Sequence, residues 1–207
     1  EFAGTVTAVG EGVSDLTPGA KVLGVTRFGG YSTHVVVPRH QLFLLPSRLD
    51  VAQAAGFPTV FITAYYALFE LAHPSPGATV LVHSAAGGVG SALVQLGRIA
   101  GCRVVGVVGG SHKVETARAM GADVVIDKSR EDLWKAAEQA APKGYDVVFD
   151  ANGVATLRQS YAHLGATGKL VIYGFHSMLP RKGGGPNWLK LAWDWLRKGW
   201  KYRMQRN

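Results

Sequence analysis

The stretch His83-Ser84-Ala85-Ala86-Gly87-Gly88-Val89-Gly90 constrains this chain more than any other. It follows the apolar run Thr79-Val80-Leu81-Val82 and opens a segment in which Val89, Leu93, Leu96 and Ala100 share one helical face. An apolar strand that turns through glycines into an amphipathic helix is the opening of a βαβ unit. Against the pattern G-x-G-x-x-G, Ala85 takes the first position, Gly87 the second and Gly90 the third. Gly87 lets the backbone approach an anion closely, and Gly90 lets the helix pack tightly on the strand. Amides at the helix start, with Gly88 and Val89 in its first turn, suit a pyrophosphate. Ala85, Gly87, Gly88, Val89 and Gly90 are therefore candidate dinucleotide contacts. The alternative is a glycine-rich turn with no ligand.

The surrounding pattern repeats the unit. Apolar strands are expected at Thr79-His83, Arg103-Val108, Asp123-Ile126, Asp146-Phe149 and Lys169-Tyr173. Helices are expected between them over 89–100, 113–120, 131–141 and 155–164. Continuous apolar strands separated by amphipathic helices predict an α/β fold with a parallel sheet covered on both faces. Right-handed crossovers make it a doubly wound Rossmann sheet. Such a sheet has six strands, so a sixth is expected beyond Asn207 and the chain reads as a slice of a longer enzyme.

Residues 1–48 read as all-β. Val6, Ala8 and Val9 lead into the turn Gly10-Glu11-Gly12, Lys21-Val25 follows Pro18-Gly19, and Tyr31-Val37 closes at Pro38. Asp50 is placed to cap a helix that Pro58 interrupts, and a second helix is expected over Ile62-Leu71. The expected division is 1–50 for a partial β domain, 51–180 for the dinucleotide-binding domain with bridging helices, and 181–207 for a tail.

The end of the second apolar strand bears on the cofactor. An acid there would bind ribose hydroxyls and favour NAD. Val108 is instead followed by Gly109-Gly110-Ser111-His112-Lys113. A hydroxyl and a cation suit a 2′-phosphate, so Ser111 and Lys113 point to NADPH. The alternative has Ser111 capping the next helix and Lys113 in solvent.

Charge narrows the partners. The formal net charge is +8, but residues 181–207 hold eight basic residues against Asp194 alone. The globular part is thus nearly neutral, which argues against a nucleic-acid binder. The single cysteine, Cys102, forms no disulfide framework and fits a reducing, cytoplasmic setting as a small buried filler. No apolar run is long enough to span a bilayer. The segment 187–204 holds Trp188, Trp193, Trp195 and Trp200 with cations between them. A basic amphipathic helix of that kind suits either a membrane surface or packing over a cleft or partner subunit. His34 is expected in a strand, His176 in a loop and His83 in a structural role; the histidines show no metal-ligand spacing.

The run Ala85-Ala86-Gly87-Gly88-Val89-Gly90, with Thr63-Ala64-Tyr65-Tyr66-Ala67-Leu68 and Gly4-Thr5-Val6-x-x-Val9-Gly10-x-Gly12-Val13, resembles the medium-chain dehydrogenase/reductase superfamily. Within it the chain resembles the quinone oxidoreductase group. Tyr173-Gly174-Phe175 and the tryptophan segment from Asn187 resemble its vesicle-amine-transport-like branch. The resemblance covers nearly all of residues 1–180.

This resemblance implies part of a GroES-like β-barrel domain beside the Rossmann sheet, and a homodimer for the full-length protein. It implies that Thr63 and Tyr65 or Tyr66 line the nicotinamide region, either tyrosine being a candidate proton donor or a packing residue. Asn152 and Gly153, in the turn after the fourth strand, and Gly174 and Phe175, after the fifth, are implied near the nicotinamide. The superfamily divides into zinc and zinc-free members. Glu1 aligns with the Glu of a Gly-His-Glu motif, which would put one ligand histidine just before Glu1; the third ligand position falls near Thr59, no usual metal ligand, and only a short turn joins Val25 to Tyr31 where a cysteine-rich loop would stand. No metal is therefore expected. The resulting expectation is an NADPH-dependent reductase of quinones or α,β-unsaturated carbonyls, acting on a small molecule. A zinc alcohol dehydrogenase and a non-catalytic, membrane-associated nucleotide binder are the alternatives.

Overall fold

The computed structural model describes residues 1–176 together with Trp193 and Leu196. It divides into two compact units, one of Glu1–Thr63 and one beginning at Ala64.

In the first unit, β1 (Phe2–Thr5), β2 (Lys21–Gly24) and β3 (Leu42–Leu44) form an antiparallel sheet in that order. Helix α1 (Val51–Ala55) packs on β1 and β2. Its start is fixed by a capping box: the Asp50 carboxylate accepts from the Gln53 amide at 2.7 Å, and the Asp50 amide donates back to Gln53 Oε1. Pro58 opens α2 (Pro58–Tyr65) instead of breaking a helix, because a first-turn residue has no intrahelical use for its N–H.

The expected strand Tyr31-Val37, and His34 with it, is corrected. Those residues form bends and turns, with Tyr31 and Val36 wholly exposed. The run pairs with none of the three strands, whose ladders are β1 with β2 and β2 with β3. β-propensity supplies compatibility with a sheet but no partner.

In the second unit, α2 passes into a π-helical turn, Tyr66–Ala72. The parallel sheet follows, with β4 (Thr79–Val82), β5 (Arg103–Val108), β6 (Val124–Asp127), β7 (Tyr145–Asp150) and β8 (Leu164–Ile172) in the order β6-β5-β4-β7-β8. Between them lie α3 (Gly88–Ile99), α4 (Val114–Ala119), α5 (Leu133–Ala140) and α6 (Leu157–Ala162). The last strand begins at Leu164, earlier than expected, and an irregularity between Tyr145 and Val147 absorbs the extra length.

One core cluster joins Leu81, Val105, Val107, Ile126, Tyr145 and Val148 on the sheet to Ala137 of α5. Tyr145 is fully buried, and its hydroxyl donates to the Ala137 carbonyl at 2.7 Å. Burial pushes that phenol up to about 12, so it stays neutral. Cys102 is buried and unpaired. Strand order reverses at β4: the chain goes from β4 outward to β5 and β6, then returns to β7 on the other side. Doubly wound sheets bind ligands at the carboxyl ends of the strands beside such a reversal.

No helix among the described residues is long and apolar enough to cross a membrane. The tail expected over 181–207 lies outside the described residues, apart from Trp193 and Leu196, which are helical and exposed.

Candidate functional site

The turn after β4 is built for close backbone approach. Ser84 adopts a left-handed conformation with φ of 55°. The Gly87 amide donates to the Ser84 carbonyl at 2.7 Å, and the Ala85 amide to Val107 of β5 at 2.9 Å. A Cβ on Gly90 would collide with the Ser84 carbonyl, so the helix can lie this close to the turn only with glycine there. Ala85 fits the first position because β5 carries Gly106 beside it: a Cβ on Gly106 would stand 2.8 Å from that of Ala85. Gly87 is the N-cap of the 12-residue α3 and supplies no side chain to the first-turn amides. Those amides, at the positive end of the helix, could hold an anion.

On one side of this turn, β5 and β6 bring four polar residues together. The Ser111 hydroxyl donates to Asp127 Oδ2 at 2.6 Å. Ser129 donates to Asp127 Oδ1 twice, from its amide at 3.0 Å and its hydroxyl at 2.6 Å. The Asp127 side chain is buried, and the Ser111 and Ser129 hydrogen bonds hold its carboxyl below the usual carboxylate range. Lys128 is exposed, and its Cε lies 3.7 Å from the point where a Cβ on Gly109 would be. Lys113 is exposed on the neighbouring turn. The reading of Ser111 as a helix cap is corrected: no side chain caps the 3-10 turn Ser111–Lys113 or α4, and the Ser111 proton goes to Asp127. Sequence reasoning missed Asp127 and Lys128. Their signal was a charged pair closing an apolar strand, Val124-Val125-Ile126-Asp127-Lys128.

On the other side, β4, β7 and β8 end in a buried polar network centred on Asp150. Asp150 Oδ1 accepts from the amides of Asn152 at 2.7 Å and Gly153 at 2.9 Å. Asp150 Oδ2 accepts from the hydroxyls of Thr156 at 2.7 Å and Ser160 at 2.6 Å. Fully buried His83 lies between Ser160 and Asn152, with Nε2 3.2 Å from Ser160 Oγ and Nδ1 3.3 Å from Asn152 Nδ2. The Asn152 amide nitrogen can only donate, so His83 Nδ1 accepts and Nε2 carries the proton. The Ser160 hydroxyl donates a hydrogen bond to Asp150 and accepts one from His83 Nε2. Burial lowers His83 to about 4, against a smaller opposing pull from Asp150, so the imidazole is neutral.

The loops after β7 and β8 interlock. Gly153 has φ of +76°, and a Cβ there would stand 3.3 Å from Phe175 Cα. A Cβ on Gly174 would stand 2.7 Å from the Ala151 carbonyl. The Tyr173 amide donates to Asp150 O at 3.0 Å and the His176 amide to Ala151 O at 3.1 Å. Asn152, Gly153, Gly174 and Phe175 are thus brought together, whereas Thr63 belongs to the first unit and donates its hydroxyl to Thr59 O at 2.7 Å. Tyr65 packs on Phe69 with ring centroids 4.8 Å apart, and both Tyr65 and Tyr66 are more than half exposed. Among the described residues no three His, Cys, Asp or Glu side chains come together as a metal requires. The Thr59 amide donates to the Glu1 carboxylate at 2.7 Å, capping the start of α2.

Comparison with known proteins agrees with this geometry. Residues 88–190 match the zinc-binding dehydrogenase family. The chain is 39% identical over 195 residues to the human synaptic vesicle membrane protein VAT-1 homolog, covering 94% of this chain and 49% of that protein. It is 36% identical to a 2-haloacrylate reductase of a Burkholderia species over 181 residues, 86% of this chain and 54% of that protein. The crystal structure of Escherichia coli quinone oxidoreductase complexed with NADPH superposes with a TM-score of 0.77 at 30% identity, over 93% of this chain and 59% of that one. The chain therefore spans about half the length of the curated relatives it matches. Sequence, sheet order and the glycine turn together show that the chain belongs to the medium-chain dehydrogenase/reductase superfamily, with quinone oxidoreductases and VAT-1 homologues among its relatives.

Proposed function

We propose that this protein is an NADPH-dependent reductase that transfers hydride to a quinone or an α,β-unsaturated carbonyl. The observation that carries the reading is the turn after β4, where Gly90 alone allows the Ser84 carbonyl its place and α3 starts with uncapped amides. These residues fit a dinucleotide. The first-turn amides of Gly88 and Val89 hold the pyrophosphate. Gly87 admits it to backbone contact, and Ala85 closes the turn against β5. Lys113 and Lys128 supply exposed positive charge for a 2′-phosphate.

Asn152, Gly153, Gly174 and Phe175 frame the nicotinamide end, where the Asp150 network fixes the loop after β7. The bound cofactor supplies the hydride. Tyr65 or Tyr66 would be the candidate donor of the proton that completes reduction. A phenol within reach of the substrate would protonate the enolate left by addition at the conjugate carbon. Two relatives bear on the substrate by their names, a quinone oxidoreductase and a 2-haloacrylate reductase. The unpaired, buried Cys102 fits a cytoplasmic setting. The resemblance to this group supports a homodimer. Trp193 and Leu196, both helical and exposed, supply apolar surface for a membrane surface or a partner subunit.

The test is NADPH oxidation followed by absorbance with a panel of quinones and enones, using cofactor deuterated at the reactive carbon. Deuterium on a carbon of the reduced enone, or oxidation of the labelled cofactor matched by quinol formation, supports the reading. Binding of NADPH without oxidation by any member of the panel counts against reduction and leaves nucleotide binding as the function.

A further inference from the structure

An ionised carboxylate accepts hydrogen bonds and cannot donate them. Asp127 is buried, and Ser111 and Ser129 hydroxyls hold its carboxyl below the usual range, so it is an anion at neutral pH. The Ser111–Asp127 contact of 2.6 Å is a charge-assisted bond, and its proton can come only from Ser111. Ser111 Oγ, on an exposed turn, therefore offers only lone pairs to a ligand. A ribose 2′-hydroxyl can donate to that oxygen. A 2′-phosphate, itself an acceptor with a charge of about −1.5 to −2, cannot.

We infer that Asp127 is a specificity-determining residue that holds back the preference for a 2′-phosphorylated cofactor by taking the Ser111 proton. The proposal deepens the dinucleotide site and rests on it. Lys113 and Lys128 attract the phosphate, while the Ser111 oxygen favours the unphosphorylated ribose, so the two halves of this corner pull in opposite directions. Ser111 is thus a lone-pair partner for ribose and not a phosphate donor.

The neighbouring serine makes the prediction specific. Both Ser129 donors reach Asp127 Oδ1. In Asp127→Asn that oxygen must remain the carbonyl, because the Ser129 amide needs an acceptor. The amide NH2 then faces Ser111 and donates to it. Bond polarity reverses, and the Ser111 proton becomes free for a phosphate.

The experiment is a titration of the chain and its variants with NADPH and NADH, with folding checked by circular dichroism. Asp127→Asn is expected to raise the NADPH-to-NADH affinity ratio about tenfold. Ser111→Ala is expected to raise the ratio severalfold, by removing the ribose acceptor and the lone pairs that oppose phosphate. A fall in the ratio in Ser111→Ala would mean that Ser111 donates to phosphate, and it would overturn the proposal. In the double variant the gain from Asp127→Asn should shrink. A gain of undiminished size would assign the effect to lost charge alone and overturn the Ser111 route. Ser111→Ala changes an exposed hydroxyl, so its sign decides the matter even where Asp127→Asn fails to fold. Binding of neither cofactor to the folded wild-type chain overturns the dinucleotide site and this proposal together.

Discussion

The Tyr173 hydroxyl donates to the main-chain carbonyl of His83 at 2.6 Å, tying the end of β8 to the end of β4 across the intervening β7. Burial, reinforced by the Asp150 charge, pushes this phenol far above its usual range, so it holds its proton throughout the working pH. Tyr173→Phe leaves the carbonyl without this donor in a largely buried place. The expected cost is about 1–3 kcal/mol in denaturant unfolding. Cofactor affinity should fall as well, because the loop carrying Gly174 and Phe175 loses its anchor.

His83 makes stability pH-dependent in a defined direction. Its imidazole titrates at about 4 in the folded chain, against an ordinary value of 6.5. Between those values the unfolded chain binds a proton that the folded chain refuses. Stability therefore falls as pH drops from about 6.5 to about 4, by on the order of 3 kcal/mol, and this contribution is flat outside that window. His83→Gln should flatten the slope in that window, whatever it costs at neutral pH. Denaturant unfolding at a series of pH values measures both slopes.

Gly90→Ala is expected to be severe. The added methyl meets the Ser84 carbonyl, which is backbone and cannot rotate away. Either α3 moves off the turn or the turn opens, and both remove the amide surface. NADPH binding should be lost, and unfolding should show destabilisation of at least about 2 kcal/mol.

Lys113 and Lys128 should act on one cofactor more than the other. Each lysine replaced by Ala is expected to weaken NADPH binding severalfold while leaving NADH within about twofold, with the difference shrinking as salt rises. Equal losses for both cofactors would place the lysines away from the 2′ position.

The alternation of strand and helix over residues 79–172 was legible because its signals are local: apolar runs, glycine stops and helical spacing. The glycine turn was legible for the same reason. Contacts that depend on strand neighbours were not. Ser111 and Asp127 are 16 residues apart and meet only because β6 lies beside β5. Ala85 is accommodated by Gly106, which belongs to another strand. Asp150 carried no signal of its own and is the buried acceptor that gathers the Asn152 and Gly153 amides and the Ser160 hydroxyl. Residues 31–37 form no strand although they are β-branched, because propensity shows in a sequence whereas the pairing that realises it does not.

Calorimetric titration of the chain with NADPH, paired with the same titration of Gly90→Ala, tests the dinucleotide site most directly. Saturable one-to-one binding to the wild type that is lost in a folded Gly90→Ala is the expected result. A folded wild-type chain that binds no NADPH, or a Gly90→Ala variant that binds it as tightly, would contradict the site at the turn after β4.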